Sequence, residues 1–512
     1  MKKRFSFAGI KKLYIPLSAD EITIESIKKY LPNILRVHAA NARKIKYYQE
    51  YVDGTFQDID LKSRKFEKAD EHNNNIKQNH AFALVSFKEG FLLGDQREFA
   101  QKSDANADDL MYLDRYLSDS NFFSKDLNIK HNVYSTGIGT SFIQPRTDII
   151  TNSSDIWRYK TLDEGYDADN DSPFIYECVD SKDNAVVYSS KIGQAGIGDV
   201  FCFNISKEIN NLGEEIKIIT VYTRDFTVKF NDQFEIIGDV IETPSTYKEL
   251  PMVEHYINNS RIGVIEIVND LLNGINTIVS NCVDNVVDTA NQILVFLGCD
   301  ISAEDVTAML KAGAICIPPE GASSTPSVDK ISWDLKYSEV NVLLEEIMAR
   351  CYDIVGVPLA SASTTGNGNN GAAYIGGGWT NAMTIIKRDI LAFEASDREL
   401  LRKMLYICKQ NPESKVNEIS VNQVEIKYNI NMTDNILSNT QALQNLVDCN
   451  MPFEHILKAI PIWGDTKTVS HDWQENVDRL KKEMLKEENG SNSYGNEEIT
   501  QTVGQEANMD NP

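Results

Sequence analysis

The chain has 512 residues, of which 42% are hydrophobic and 25% charged, and its formal net charge is −24. This length exceeds what one core supports, so it predicts two to four domains in a soluble globular protein that buries sizeable cores. The acidic excess argues against a protein that grips nucleic acid, since that needs clustered Lys and Arg, but it is compatible with nucleic acid that slides past.

Cysteine usage and hydropathy indicate a cytoplasmic setting. The eight cysteines are scattered, form no C-x-x-C pair and have no histidine cluster nearby, so we expect reduced thiols and no metal site. The apolar stretch after the basic start is too short for a signal peptide. Because no window reaches the roughly 18 apolar residues of a membrane span, the sequence predicts no membrane insertion.

The first part of the chain is mostly helical in pattern. Apolar residues spaced for one face of a helix begin at Ile24, and Pro32 interrupts them. A second helix is predicted to close with Gly54, and a third to run from Asn75 until a turn at residues 88–90. This part is therefore predicted to be mainly α-helical.

The apolar period changes to two from about residue 129 to residue 242. β-Branched and aromatic runs in this region are separated by Gly, Asn and Asp. That pattern predicts an antiparallel, meander-like β module. Residues 244–251 then form a linker into the next helix.

A charge anomaly follows the linker. Between Arg261 and Lys311 the chain has no lysine or arginine, although acidic residues are frequent there. The first half of this stretch carries two stripes with 3–4 spacing on opposite sides of one helix. The apolar stripe comprises Val264, Val268, Leu271, Ile275, Ile278 and Cys282. The acidic and amide-rich stripe comprises Glu266, Asp270, Asn273, Thr277, Asn281, Asp284 and Asp288.

Two interpretations of this helix stay open from the residues alone. The plain one is an ordinary amphipathic helix whose acidic face is solvated. The sharper one is the wall of a passage that must not hold a polyanion, because a wall without cations offers phosphates no salt bridge.

A small mixed α/β unit and a second helix are predicted next. The unit consists of a strand over 293–297, a helix over 302–311, a strand over 314–317, a Pro/Gly/Ser loop over 318–327 and a strand over 330–335. The second helix places apolar residues at 3–4 spacing: Val340, Leu344, Ile347, Cys351 and Ile354.

The last part of the chain begins with a small-residue loop over 360–378 and a long helix. In the apolar seam of that helix, Asp397 occupies a position where an apolar residue is expected. A strand over 423–430 and three short helices within 440–486 follow. From Glu487 onward the chain has no basic residue and almost nothing apolar, which predicts a disordered acidic tail.

No motif argues for catalysis. Gly366, Gly368 and Gly371 match G-x-G-x-x-G, but no β-branched strand leads into them and no acidic residue ends a second strand about 20 residues later, so a mobile loop is the preferred interpretation. The seven histidines are dispersed, which favours structural or solvated roles over metal binding. The sequence therefore predicts neither an enzyme nor a cofactor.

Four groups of segments, taken in order, resemble one family. They are residues 51–54 with 79–85 and 90–94; residues 250–259 with 263–272; residues 365–373; and residues 428–434 with 451–457 and 473–484. In order and spacing they resemble the portal proteins of tailed double-stranded DNA bacteriophages, the head-to-tail connector ring. The resemblance covers about Tyr47 to Met484, and it departs in the third segment, where two alanines replace the usual Ser-Gly pair.

The resemblance implies an α+β fold that assembles as a ring, usually of twelve copies, at one capsid vertex. It has a mixed helical wing with an antiparallel β module, a two-helix stem, a small αβ clip, a long wing helix and a mainly helical crown. The implied regions are wing 1–260 (helical over 20–120, β-rich over 129–242), stem helices 261–290 and 338–355, clip 291–337, tunnel loop 356–378, long wing helix 379–410, crown 411–486 and acidic tail 487–512.

The resemblance also implies functional residues and partners. The expected tunnel-lining residues are Glu266, Asp270, Asp284 and Asp288. The tunnel loop would bring Ser361, Ser363, Thr364, Thr365, Asn367, Asn369 and Asn370 near DNA. The clip would dock partners through Pro319, Glu320, Ser323 and Asp329.

The implied partners are other copies of the chain, double-stranded DNA in the tunnel, the terminase large subunit, the head-tail adaptor, and the major capsid and scaffolding proteins. The protein would reside in the virion and, during assembly, in the host cytoplasm. The alternative class is a non-viral ring-shaped scaffold or pore without DNA translocation, and behind it stands an unrecognised nucleotide-dependent enzyme.

Overall fold

A computed structural model describes the following residues: 8–61, 74–94, 96–102, 107–146, 167–191, 198–209, 213, 215–242, 248–290, 293–297, 304, 327–331, 337–358, 379–430 and 479. Almost all of them belong to the first of two compact units, residues 1–431. Of the second unit, residues 432–512, only Arg479 is described. The predicted helix 302–311 apart from Glu304, the strand 314–317, the loop 318–327 apart from Ser327 and the loop 360–378 therefore lie outside the described residues. The same holds for the C-terminal helices within 440–486, apart from Arg479, and for the tail.

The chain folds as a mixture of helices and strands, which confirms the predicted α+β class. The helices are α1 Ile24–Val52, α2 His80–Leu93, α3 Ala107–Asp119, α4 Phe122–Thr136, α5 Val264–Ala290, α6 Tyr337–Val355 and α7 Trp379–Gln410. The strands are β1 Leu13–Ile15, β2 Glu98–Gln101, β3 Gly139–Pro145, β4 Phe174–Val179, β5 Asn184–Ser189, β6 Asp199–Ile209, β7 Glu215–Tyr222, β8 Phe226–Phe230, β9 Ile241–Glu242, β10 Met252–His255, β11 Ile293–Leu297, β12 Ser327–Ile331 and β13 Val424–Lys427.

The first helix is continuous across a proline. α1 follows the N-cap Thr23, whose side chain accepts a hydrogen bond from the backbone N–H of Ser26. The interruption that the sequence predicts at Pro32 is absent, so that prediction is wrong. Proline removes one helical hydrogen bond, but Pro32 is exposed while Leu31 and Ile34 beside it are buried. Burial of apolar side chains on both sides of the proline keeps the helix intact.

The second helix passes through its predicted turn. α2 runs on through Gly90, so the turn predicted at residues 88–90 is wrong. A glycine inside a helix costs about 1 kcal/mol relative to alanine. Phe91 and Leu92 immediately after it are buried, and their burial outweighs that cost.

The β-rich region starts later than predicted. The sequence places its start at about residue 129, whereas α4 extends to Thr136. Ile129 and Val133 are buried four residues apart, which is helical spacing. Gly137 ends the helix in the left-handed conformation, with φ 94°.

The main sheet has six strands in the order β1-β5-β6-β7-β8-β9. β5 to β9 follow one another as antiparallel neighbours, which confirms the predicted meander. β1 joins the edge in parallel, with Leu13 opposite Val187. A smaller sheet has the order β10-β3-β4, and β13 pairs with β2.

Two of the hydrophobic clusters in the described part of the chain support most of these elements. In the first, Ile27, Leu31 and Ile34 of α1 pack with sheet residues such as Phe201 and Phe203. The second core joins α3, α4, β3, β4 and the seam of α7. α7 therefore lies in the interior along much of its length, as its predicted seam requires.

Two short antiparallel strands lie between α5 and α6 in the chain. β11 pairs with β12 in antiparallel register, from Ile293 opposite Ile331 to Leu297 opposite Ser327. The sequence places this second strand at 330–335, whereas the structure places it at 327–331. Its bounds are those of the residues that pair with the five residues of β11.

Candidate functional site

The helices α5 and α6, predicted over 261–290 and 338–355, pack against each other. The hydroxyl of Tyr337, at the start of α6, donates to Asn285 Oδ1 near the end of α5, over 3.4 Å. At the other end of α6, the hydroxyl of Tyr352 hydrogen bonds with His80 Nδ1 over 3.0 Å. This helix pair is the candidate site, because it carries the predicted acidic wall.

One edge of the polar side of α5 is buried in its first five turns, whereas Asp270 and Asn281 on the same side are exposed. Asn269, Asn273, Asn276 and Ser280 are at most 7% exposed, and they recur every three or four residues along the helix. Buried amides must be hydrogen-bonded to be tolerated. Their partners lie in α1, in the turn that follows it and in the segment before α2.

The buried amides of α5 form a ladder of hydrogen bonds with these earlier segments. Asn273 is central: its oxygen accepts from the Tyr51 hydroxyl over 3.0 Å and its amide donates to Asp58 Oδ2 over 3.0 Å. The other rungs are Asn269 Nδ2 to Tyr47 Oη at 3.3 Å, Asn276 Nδ2 to Gln57 Oε1 at 2.6 Å, the Gln78 N–H to Asn276 Oδ1 at 2.9 Å, and the Ile76 N–H to Ser280 Oγ at 2.9 Å.

Glu266 closes the ladder at the start of α5. Its Oε1 accepts hydrogen bonds from the backbone N–H groups of Ala8 and Gly9, at 3.0 and 3.1 Å. The same oxygen forms an ion pair with Lys44 of α1, and Lys44 Nζ also donates to the Gly9 carbonyl over 3.0 Å. The side chains of Lys44 and Glu266 are only 7% and 1% exposed. The pair therefore fastens the N-terminal segment and α1 to α5.

The acidic wall predicted on α5 is wrong for two of its four residues. Glu266 is buried against Lys44, and Asp284 is 3% exposed, with its Oδ1 accepting from the backbone N–H and the side-chain amide of Asn74 at 2.8 and 2.9 Å. The absence of cations near these acids in the sequence is misleading, because α1 and the segment before α2 supply the partners. Asp270 is exposed, and the side chain of Asp288 lies outside the described residues.

The predicted loop and clip residues fall mostly outside the described part of the chain. These are Ser361, Ser363, Thr364, Thr365, Asn367, Asn369 and Asn370 in the loop, and Pro319, Glu320 and Ser323 in the clip. Asp329 lies in β12, in register with Val295 of β11.

α6 carries an exposed acidic stripe that the sequence analysis did not single out. Glu339, Glu346 and Asp353 are all exposed and recur every seven residues, so they lie within about 40° of one another around the helix. The one exposed cation on α6 is Arg350, whose guanidinium donates to Glu346 Oε1 over 2.7 Å. The spacing of acidic residues every seven positions could have indicated this stripe in the sequence. It was overlooked because carboxylates are abundant throughout this chain.

Exposed apolar residues flank this stripe. Val342, Leu343 and Ile354 of α6 are 65%, 49% and 51% exposed, and Ile267 and Val286 of α5 are 42% and 55% exposed. Exposed apolar residues on both sides of the α6 stripe are typical of a surface that another molecule covers.

Asp397, the acid in the seam of α7, is the centre of a buried ionic network. It contacts Arg97 at 2.8 Å and Lys130 at 2.9 Å, and Tyr428 donates a short hydrogen bond to it. Burial opposes its charge, but Arg97 and Lys130 outweigh burial and hold the pKa of Asp397 well below its usual range. The network joins α7 to α4 and to the chain after β13.

A Ser–His–Asp arrangement touches the same network. His255 Nε2 lies 3.0 Å from Ser141 Oγ, and His255 Nδ1 lies 3.6 Å from Asp397 Oδ1. Ser141 and His255 are fully buried, so no substrate could reach the hydroxyl, and burial lowers the pKa of His255. This geometry is a structural cross-link between β3, β10 and α7.

The described ranges contain neither a metal-binding cluster nor a membrane-spanning helix. No group of three or more His, Cys, Asp or Glu residues among them could hold a metal ion. None of the described helices is long and apolar enough to cross a membrane.

Comparison with protein families gives a match over most of the chain. The family model described as "Phage portal protein, SPP1 Gp6-like" matches residues 23–489, which is most of the chain. That span includes both helices of the candidate site, the strand pair β11 and β12 and α7. No curated protein matches the chain significantly.

Proposed function

Because the chain belongs to the phage portal protein family, a structural and non-enzymatic family, we propose that it forms the ring at one capsid vertex through which genomic DNA is packaged and later ejected. About twelve copies would close the ring through one repeated head-to-tail contact. In this assignment α5 and α6 are the stem, the segment between them is the clip, α7 is the long wing helix, and the elements before α5 are the wing.

The exposed acidic stripe of α6 is the observation that supports DNA passage. Glu339, Glu346 and Asp353, with Asp270 of α5, would present rings of negative charge at successive levels of the stem. Phosphates would find few cations to bind there, so DNA would move without being held. This set replaces Glu266 and Asp284, whose carboxylates are bound inside the protomer.

The exposed apolar residues that flank the stripe support ring closure. Val342, Leu343 and Ile354 of α6 would pack on Ile267 and Val286 of the next copy. A contact of this kind, repeated by rotation, removes the apolar surface of every copy from water. The amide ladder leaves Ile267 outward, because Ile267 lies on the side of α5 opposite the ladder.

The loop over 361–370 and the clip remain proposals from the family assignment. The small and neutral loop residues would touch DNA at the narrowest point of the tunnel. The clip, including Pro319, Glu320, Ser323 and Asp329, would dock the terminase large subunit first and the head-tail adaptor later. The wing would contact the major capsid and scaffolding proteins during assembly in the host cytoplasm.

The test is DNA packaging by capsids assembled with and without the chain. We expect rings in negative-stain top views, and DNA filling only in capsids that contain them. Rings that form normally while capsids fill equally well without them would favour the alternative, a ring-shaped scaffold or pore that does not translocate DNA.

A further inference from the structure

One helix reverses the charge of the rest of the chain. From Ser26 to Gln49, which is most of α1, there is no acidic residue, whereas the segment contains six lysines and arginines. The whole chain has 75 acidic residues in 512, so a stretch of this length would ordinarily hold three or four. Glu25 and Glu50 bound the segment on either side.

Five of these cations lie on one exposed face of α1. At 100° per residue they fall within a sector about 100° wide, and they extend over about 27 Å of the helix axis. They are Lys28, Lys29, Arg36, Arg43 and Lys46, all of which are exposed. The sixth, Lys44, points away from this face and is buried against Glu266.

The cations of this face are little used within the protomer. Arg36 donates to Asn33 Oδ1 over 2.9 Å and Arg43 donates to the Ala39 carbonyl over 3.2 Å. Lys46 reaches Glu50 at 3.6 Å, in an exposed pair of the kind that contributes little stability. Among the described residues, no carboxylate lies within ion-pair distance of Lys28, Lys29, Arg36 or Arg43.

The surface between the cations is small and flat. Pro32 and Ala39 are the other exposed residues in the middle of this face, and Asn33 and Ala40 are exposed at its edge. No large apolar side chain in this helix is among the exposed ones. A protein partner would need buried anchors such as Trp, Tyr or Leu, and this face offers none. A row of cations without anchors fits a phosphate backbone, which is bound by charge and without regard to sequence.

We propose that the exposed face of α1, defined by Lys28, Lys29, Arg36, Arg43 and Lys46, binds the sugar-phosphate backbone of duplex DNA. Only the choice of duplex DNA as the polyanion rests on the proposed function. The acidic surface of α6 would let DNA pass, whereas this separate face would hold a duplex.

The expected affinity for duplex DNA and its salt dependence follow from counterion release. Each phosphate contact contributes about 0.9 to the slope of log affinity against log salt. Five contacts give a dissociation constant on the order of tens of micromolar at about 0.1 M salt. Removing three cations should reduce the slope by about three and weaken binding at that salt concentration by roughly a hundredfold or more.

The test measures binding of a fluorescent duplex of mixed sequence to the purified full-length protein at several salt concentrations. The variant is Lys29→Gln/Arg36→Gln/Arg43→Gln. The matched control is Lys207→Gln/Lys229→Gln/Lys248→Gln, which removes the same charge from exposed positions of the main sheet and the linker after it. Arg36→Lys/Arg43→Lys keeps the charge and should bind nearly as the parent does. Single variants, each lowering the slope by about one, replace the triple variant if it does not fold.

Weakened binding in the α1 variant, with the control unchanged, supports the proposal. Equal binding by the α1 variant and the parent would overturn it. Equal loss in both triple variants would also overturn it, since binding would then follow net charge. Competition by polyglutamate as effective as that by duplex at equal charge would assign the face to an acidic protein instead. Because no capsid is involved, failure here leaves the packaging result unaffected, and the reverse holds too.

Discussion

Replacing Glu266 with glutamine distinguishes a buried clamp from a tunnel wall. Glutamine has nearly the same shape, and its oxygen can still accept from the Ala8 and Gly9 N–H groups. The substitution leaves the Lys44 ammonium, whose side chain is 7% exposed, without its counter-charge. Breaking a buried pair on one side costs about 3–5 kcal/mol. Glu266→Gln should therefore destabilise the contact between α1 and α5 by an amount in that range.

Asp270→Asn is the matched control, since it makes the same charge change one turn later on the same helix. Asp270 is exposed, and surface substitutions usually change stability by less than about 0.5 kcal/mol. Lys44→Met should cost about as much as Glu266→Gln, and the double variant should cost less than the sum, because neither charge is then left alone.

Hydrogen exchange of the α1 and α5 amides is the suitable assay. It reports the free energy of local opening and does not need the whole chain to unfold in two states. Equal protection of these amides in Glu266→Gln and Asp270→Asn would refute the buried ion pair between Lys44 and Glu266. Glu266 would then have to lie on an exposed surface.

Three further predictions concern the amide ladder, two glycines and one histidine. Asn276→Ala should lower the free energy of unfolding by about 1–3 kcal/mol in chemical denaturation, because the buried Gln78 N–H and Gln57 Oε1 lose their hydrogen-bond partner. The control Asn341→Ala, on an exposed face, should have little effect. Similar values for the two variants would contradict the ladder. Gly137→Ala should lower the melting temperature of the protein, because φ is +94° and the new Cβ would lie 2.2 Å from the Arg261 carbonyl oxygen. Gly90→Ala should raise the melting temperature, because its Cβ would meet nothing within 4 Å. The hydrogen bond to Glu89 raises the pKa of His131. The parent should therefore be more stable than Glu89→Gln by its full margin below about pH 6.5, and this margin should disappear as the pH rises through the raised pKa. A margin that does not depend on pH would exclude this pair as its source.

The helices of the candidate site could be predicted because helical periodicity is local. The 3–4 spacing in α5, α6 and α7 is readable within each segment, and the three helices are present. Asp397 was also a usable signal, since an acid inside an apolar seam requires buried partners. The residues that satisfy it, Arg97 and Lys130, come from distant segments and could not be named in advance.

The fate of the polar stripe on α5 could not be predicted. An amphipathic pattern states that one face is polar but does not state whether water or another segment covers it. Lys44 and Glu266 are separated by 222 residues, and nothing in the local sequence links them. The prediction of a helix break at Pro32 was wrong for the same reason, because the burial that overrides the helix-breaking tendency of proline comes from tertiary packing.

The most direct test of the central claim is the packaging rate of single particles that carry Glu346→Lys at two ionic strengths. About twelve lysines, each beside Arg350, would form a cationic ring in the acidic stripe, and each additional ion pair with a phosphate steepens the salt dependence by close to one unit. We predict intact rings that package slowly at low salt and recover at higher salt, while Asp232→Lys, on an exposed turn of the main sheet, packages normally. Unchanged, salt-independent packaging by Glu346→Lys would contradict an α6 wall facing the DNA.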